Sequence, residues 1–197
     1  FCPKRHLSGL ILLLKNRFDE RNTERRKSSG KGVTEMAQNT NNDMMQDIQE
    51  VLLSEEKLQQ IVRDIGAQIS KDYAGKKLLM VSILKGSVVF MADLMRAITI
   101  PCRIDFMAVS SYGSGAKTSG VVKIIKDLDI PLEGYDLLIV EDILDSGMTL
   151  SYIVDMLKSR GPKSIRICTL FDKPERRMAE VKATYVGTQV PDAFIVG

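Results

Sequence analysis

Leu137-Leu138-Ile139-Val140 is an unbroken apolar run that ends on two adjacent acids, Glu141 and Asp142. An apolar run without alternation reads as a strand buried on both faces, inside a sheet covered by helices on each side. The flanking sequence has the matching rhythm. Residues 78–84, 103–110, 121–126, 137–142, 164–171, 184–187 and 193–196 read as strands. Between several of them lie stretches of helical period. One begins at Ser54, a capping residue followed by Glu55 and Glu56, with Leu58, Ile61, Val62, Ile65 and Ile69 on one face. A second covers 87–98, with Val88, Met91, Leu94 and Met95 expected on its buried side. A third covers 149–160 and stops at Gly161-Pro162. Strand–helix–strand alternation predicts an α/β fold with a largely parallel twisted sheet flanked by helices.

Composition narrows the chemistry. The 197 residues include one His, His6, near the N-terminus, so Ser-His-Asp and Cys-His catalysis are excluded from the body of the chain. Cys2, Cys102 and Cys168 are odd in number and far apart, as expected of reduced thiols in a cytoplasmic protein. No apolar run approaches the roughly 20 residues of a membrane span. The net charge of +3 is unevenly placed: residues 1–35 hold nine Lys/Arg against four Asp/Glu, and the remainder holds nineteen against twenty-one. The basic surplus thus sits in the first 35 residues, and a nucleic-acid partner is not expected.

The strand end carries the chemistry. After Glu141-Asp142-Ile143-Leu144 comes Asp145-Ser146-Gly147-Met148-Thr149, leading into a helix. Open α/β sheets bind ligands at the carboxyl ends of their strands. A loop with backbone N–H groups, two hydroxyls and a helix N-terminus suits a phosphate. Two carboxylates beside a phosphate need a reason, and the paired hydroxyls of a ribose supply one. Adjacent strand residues face opposite ways, so the two acids cannot act alike. The plainer reading, an acidic turn capping a helix through Asp145 or Ser146, leaves the acid pair unexplained. Leu84-Lys85-Gly86-Ser87 repeats the strand–loop–helix arrangement with an added positive charge. Neither a G-x-G-x-x-G fingerprint nor a Walker A loop is present.

The stretch 140–150 resembles the phosphoribosyl-diphosphate binding motif of type I phosphoribosyltransferases. Residues 50–197 as a whole resemble the bacterial hypoxanthine (hypoxanthine-guanine) phosphoribosyltransferases. The resemblance implies the fold of that family, with a small hood region beside the sheet. It implies that Glu141 and Asp142 hold the ribose hydroxyls and Mg²⁺, and that Asp145, Ser146, Gly147, Met148 and Thr149 cradle the 5′-phosphate. Asp145 would also be the general base for the purine N7 proton. Met148 stands where relatives carry Lys or Arg. Leu84, Lys85, Gly86 and Ser87 would hold the diphosphate, with a cis peptide before Lys85. Ser111 and Tyr112 open a Gly/Ser-rich segment that would close over the substrate. Lys173 would donate to the oxygen on C6 of the purine, Phe194 would stack on the ring, and Ile195 would pair with the base edge. Taken singly, Lys173 reads as a surface lysine and Phe194 as a core aromatic.

The implied activity is purine salvage: transfer of the 5-phosphoribosyl group from 5-phosphoribosyl 1-diphosphate to hypoxanthine or guanine by a homodimer or homotetramer. The rival reading is a non-catalytic regulator of the same fold that binds the sugar diphosphate. Residues 1–43 are expected to be a disordered or non-native extension, with Met36, Met44 and Met45 as candidate natural starts. The phosphoribosyltransferase domain is expected at 44–197, cut short at its C-terminus, where the family continues with an Asp and an Arg for the metal and the diphosphate.

Overall fold

In the computed structural model, which describes Ile11–Leu14 and residues 48–111 and 122–196, Leu137, Leu138, Ile139 and Val140 are all fully buried. Burying side chains of this size is worth roughly 1.5–3 kcal/mol each, so the run that opens the chain's central strand anchors it. The chain forms two compact units, Gln59–Asp192, and Phe1–Leu58 with Ala193–Gly197.

The larger unit is built on a six-stranded sheet. Its strands are β3 (Leu78–Leu84), β4 (Cys102–Ser111), β5 (Val122–Lys126), β6 (Asp136–Leu144), β7 (Ser164–Asp172) and β8 (Tyr185–Gln189), in the spatial order β5-β4-β3-β6-β7-β8. All neighbouring pairs are parallel except β4–β5. The helices are α1 (Glu55–Asp72), α2 (Val88–Ala97) and α3 (Met148–Lys158). Leu79, Val81, Leu137, Ile139 and Ile167 turn to one face, where they meet Leu150, Ile153 and Leu157 of α3. The alternate residues Leu78, Met80, Leu138 and Val140 point the other way, and α2 lies against β3 and β6. A β-carbon at Gly66 would meet Ala97 backbone at 2.9 Å, so the glycine lets α1 approach the end of α2.

The smaller unit holds a three-stranded antiparallel sheet in the order β2-β1-β9, with β1 at Ile11–Leu14, β2 at Ile48–Leu53 and β9 at Ile195–Val196. Ser54 ends β2 and opens α1, its Oγ accepting from the Lys57 amide at 3.4 Å.

Three features differ from the sequence reading. Ile11–Leu14 lies within the stretch read as disordered, yet it pairs as a strand; an apolar tetrapeptide of this kind gains by pairing between β2 and β9. β2 lies inside the expected domain but is not among the strands read from the sequence, and the register shifts in its pairing with β1 explain why no clean alternation marks it. In α2 the buried set is Phe90, Met91 and Leu94, while Val88 and Met95 are exposed. The stripe that closes onto the sheet runs Ser87, Phe90, Met91, Leu94, Ile98; it keeps Met91 and Leu94 of the predicted stripe and is rotated about the helix axis away from Val88 and Met95. Cys102 and Cys168 are free thiols, and no helix among the described residues is long and apolar enough to cross a membrane.

Candidate active site

Parallel register brings the ends of β3, β4, β6 and β7 to one edge of the sheet. Leu84 pairs with Ala108, Ser82 with Val140, and Leu144 with Asp172, so the loops after β3, β6 and β7 leave the sheet on the same side. Ser110 and Ser111 close β4 at that edge, opposite Lys123 and Val122 of β5. Tyr112 lies outside the described residues.

The loop after β3 turns sharply. The Leu84–Lys85 peptide is cis. Ser87 is fully buried and bonded on both sides, its Oγ donating to Ile83 O (2.6 Å) and meeting Ser82 Oγ (2.7 Å). Lys85 and Gly86 are exposed. A β-carbon on Gly86 would sit against the Asp142 carboxylate, 3.1 Å from Cγ and nearer still to Oδ2. The backbone of the first loop is therefore seated directly on Asp142, near the end of β6.

The two acids differ, as adjacent strand residues must. Asp142 accepts from the Ile143 amide (2.9 Å) and faces Gly86. Glu141 is held away from water, and its carboxyl is pushed up to about 8, by desolvation first and by the Asp142 charge second. The folded-state value thus lies above the ordinary 4.5, so folding takes up a proton between the two. Stability from this group is complete below pH 4.5 and is lost as pH rises through about 8. In the substrate-free protein, Glu141→Gln is expected to gain in melting temperature over wild type as pH rises from 5 to 8, levelling above it. An equal difference at both pH values, in melts across the range, would contradict this environment for Glu141.

The loop after β6 is backed by the β7–β8 connection. Lys173 N donates to Leu144 O (2.9 Å), Arg177 Nε to Asp145 O (3.0 Å), and the amides of Met178 and Ala179 to Ser146 O (2.9 and 3.1 Å). A trans peptide points its C=O and the following N–H in opposite directions. Three carbonyls turned toward the connection therefore turn the N–H groups of Asp145, Ser146 and Gly147 away from it, into the open side of the loop. Gly147 takes φ +77° as the N-cap of α3, a left-handed conformation that favours glycine. The row of N–H groups followed by a helix N-terminus is an anion cradle. Met148 is exposed and Thr149 partly buried. The Asp145 carboxylate projects from the loop, with Arg176 Nε 3.0 Å from Oδ1 but outside hydrogen-bond alignment.

Lys173 is only 6% exposed, held at the mouth of the loop. In the smaller unit, Phe194 is 63% exposed and Ile195 pairs with Leu13. The single-residue readings of both Lys173 and Phe194 are thereby reversed. Arg176 and Arg177 were not singled out from sequence, although the run Lys173-Pro174-Glu175-Arg176-Arg177 directly after a strand was the available signal.

Glu141 and Asp142 fit a hard divalent cation, since its charge would relieve the repulsion and desolvation that resist ionisation of Glu141. No group of three or more His, Cys, Asp or Glu side chains able to hold a metal occurs among the described residues. An ion here would complete its shell with substrate oxygens.

An open, mostly parallel sheet with an acid pair and two backbone loops at the carboxyl edge defines an α/β ligand-binding protein whose site is shaped for a phosphorylated, hydroxyl-bearing molecule. The chain belongs to the phosphoribosyl transferase family, whose domain model matches residues 48–197. It is 52% identical over 154 residues to the hypoxanthine-guanine phosphoribosyltransferase of Bacillus subtilis, covering 78% of this chain and 86% of that protein. The corresponding Staphylococcus aureus protein is 52% identical with the same coverage. A crystal structure of a hypoxanthine phosphoribosyltransferase from Staphylococcus aureus superposes with a TM-score of 0.74 at 51% identity, covering 78% of this chain and 84% of that one. The expected fold class and family are both borne out.

Proposed function

We propose that this chain is a purine-salvage transferase that joins hypoxanthine, and guanine, to the 5-phosphoribosyl group of 5-phosphoribosyl 1-diphosphate. The bond between C1′ and diphosphate breaks, the N9–C1′ bond forms, and the proton on N7 passes to the Asp145 carboxylate. The products are IMP or GMP and diphosphate. The observation that supports this reading is the close approach of Gly86 to Asp142, which sets the loop after β3 against the acid-bearing end of β6. Such spacing suits a sugar carrying phosphate groups at both ends.

The loop 145–149 binds the 5′-phosphate through its amides, which is why exposed Met148 serves where a Lys or Arg side chain is not required. Leu84, Lys85, Gly86 and Ser87 take the diphosphate. Glu141 and Asp142 hold the ribose hydroxyls and Mg²⁺, whose charge offsets that of the diphosphate oxygens. Ser111 and Tyr112 help exclude water that would intercept the cationic sugar. Lys173 donates to the C6 oxygen, favouring 6-oxopurines over adenine, with Phe194 and Ile195 completing the base site. Catalysis comes mainly from positioning and electrostatic stabilisation. The protein works in the cytoplasm as a homodimer or homotetramer. Its phosphoribosyltransferase domain spans residues 44–197.

The test is nucleotide formation with the sugar diphosphate and Mg²⁺, in this chain and in one extended at its C-terminus. IMP or GMP is expected. No nucleotide from either chain with either base would sink the reading, and sugar-diphosphate binding without turnover would favour the regulator instead.

A further inference from the structure

Arg177 makes more bonds to the backbone around the anion loop than any other side chain in the described site. Its Nε donates to Asp145 O at 3.0 Å, one terminal nitrogen reaches Leu144 O at 3.4 Å, and the other donates to Val181 O at 2.7 Å. The guanidinium also pairs with the Asp172 carboxylate at the end of β7. Arg177 and Asp172 are 20% and 15% exposed, so both charges are largely withdrawn from water. A β-carbon on Gly147 would lie 3.1 Å from Arg177 Cδ, which places the arginine stem directly beneath the left-handed turn that starts α3.

We propose that Arg177 is a positioning residue: it fixes the Asp145–Ser146 peptide so that its N–H faces the phosphate. The inference rests on the transferase reading above and deepens it. The peptide has two orientations. With Asp145 C=O held by Arg177, the Ser146 N–H points into the cradle. Without that bond, rotation of the peptide plane would turn a carbonyl dipole toward a dianion and remove one donor. The guanidinium fork is suited to this task because it spans several carbonyl acceptors and a carboxylate at once. An ammonium on a flexible stem satisfies one or two. Asp172 holds the fork in its plane. The backbone amides of Met178 and Ala179 hold Ser146 O independently, so loss of Arg177 loosens one peptide and leaves the loop's path in place.

The test compares wild type, Arg177→Ala and Arg177→Lys in the full chain. Steady-state kinetics and calorimetric binding of ribose 5-phosphate are the readouts. Arg177→Ala is expected to raise KM for the sugar diphosphate on the order of tenfold, to weaken ribose 5-phosphate binding by a similar factor, and to leave KM for the purine within about twofold. Millimolar guanidinium, far below denaturing levels, should recover part of the lost affinity. Arg177→Lys should fall between the two, and it carries the test if the alanine variant does not fold. A lowered melting temperature with unchanged KM and unchanged ribose 5-phosphate affinity would make Arg177 a structural brace only and overturn the proposal. So would a Lys variant equal to wild type. Failure of the transferase reading would appear separately, as a wild-type protein that forms no nucleotide. Ribose 5-phosphate binding needs no turnover and still reports on Arg177.

Discussion

Asp145→Asn is expected to lower kcat by roughly 10²–10⁴, the range for loss of a general base, while leaving ribose 5-phosphate binding within a few-fold of wild type. The separation follows from how the residue is built into the loop. Its backbone carbonyl is bonded to Arg177 and the carbonyl before it to Lys173, and neither bond involves the carboxylate. Asparagine keeps the side-chain shape and leaves those bonds intact, so the cradle should survive. What it removes is the capacity to accept a proton. Few replacements are at hand, because the chain's one histidine is His6. Of the neighbouring carboxyls, Asp142 is engaged with the Ile143 amide, Glu141 is withdrawn from water, and Asp172 is paired with Arg177. Steady-state kinetics with hypoxanthine, paired with calorimetry, measures both halves. A variant with kcat within threefold of wild type would remove Asp145 from the role of base.

The architecture was legible because its signals are periodic and redundant. The strand at 78–84 was placed at its observed bounds, and those at 103–110, 121–126 and 164–171 within a residue of theirs, because apolar runs between glycine and charged punctuation leave few alternatives. Two of the three strands of the smaller unit, β1 and β2, were hidden for a physical reason. Bulged pairing breaks the period-2 pattern, and a strand of four residues carries too little period to stand out. The site was legible as composition and only partly as geometry. That a loop of Asp, Ser, Gly and Thr after an acid pair binds an anion follows from the chemistry of its groups. That its carbonyls are turned away by a segment 32 residues further on does not, because the contacts run between Ser146 and Met178 and between Asp145 and Arg177. A charged run such as Glu175-Arg176-Arg177 resembles any solvated surface until the fold brings it beneath the loop. Lys173 illustrates the same limit: lysine is seldom buried, and only its place after β7 makes a buried position sensible.

Gly86→Ala should be nearly as damaging to activity as loss of an acid, with little effect on folding. Gly86 is exposed and outside the core, so an added methyl group disturbs no packed layer. It would, however, meet the Asp142 carboxylate well inside van der Waals contact. Either the carboxylate swings away and gives up its bond from the Ile143 amide, or the Leu84–Ser87 loop lifts from the acid pair. The second movement is resisted by the fully buried Ser87, which is tied to Ser82 and Ile83. Asp142 is therefore the group expected to move. A displacement near 1 Å in a positioning site can cost on the order of 10²-fold, and kcat/KM for the sugar diphosphate should fall by about that factor while the melting temperature stays within a few degrees. The decisive measurement is a double-mutant cycle with Asp142→Ala. Because that change removes the atoms the new methyl group would strike, Gly86→Ala should add little further loss in its background. Fully multiplicative losses would mean that the glycine acts on the diphosphate directly, through the loop's own amides, and that its contact with Asp142 is incidental.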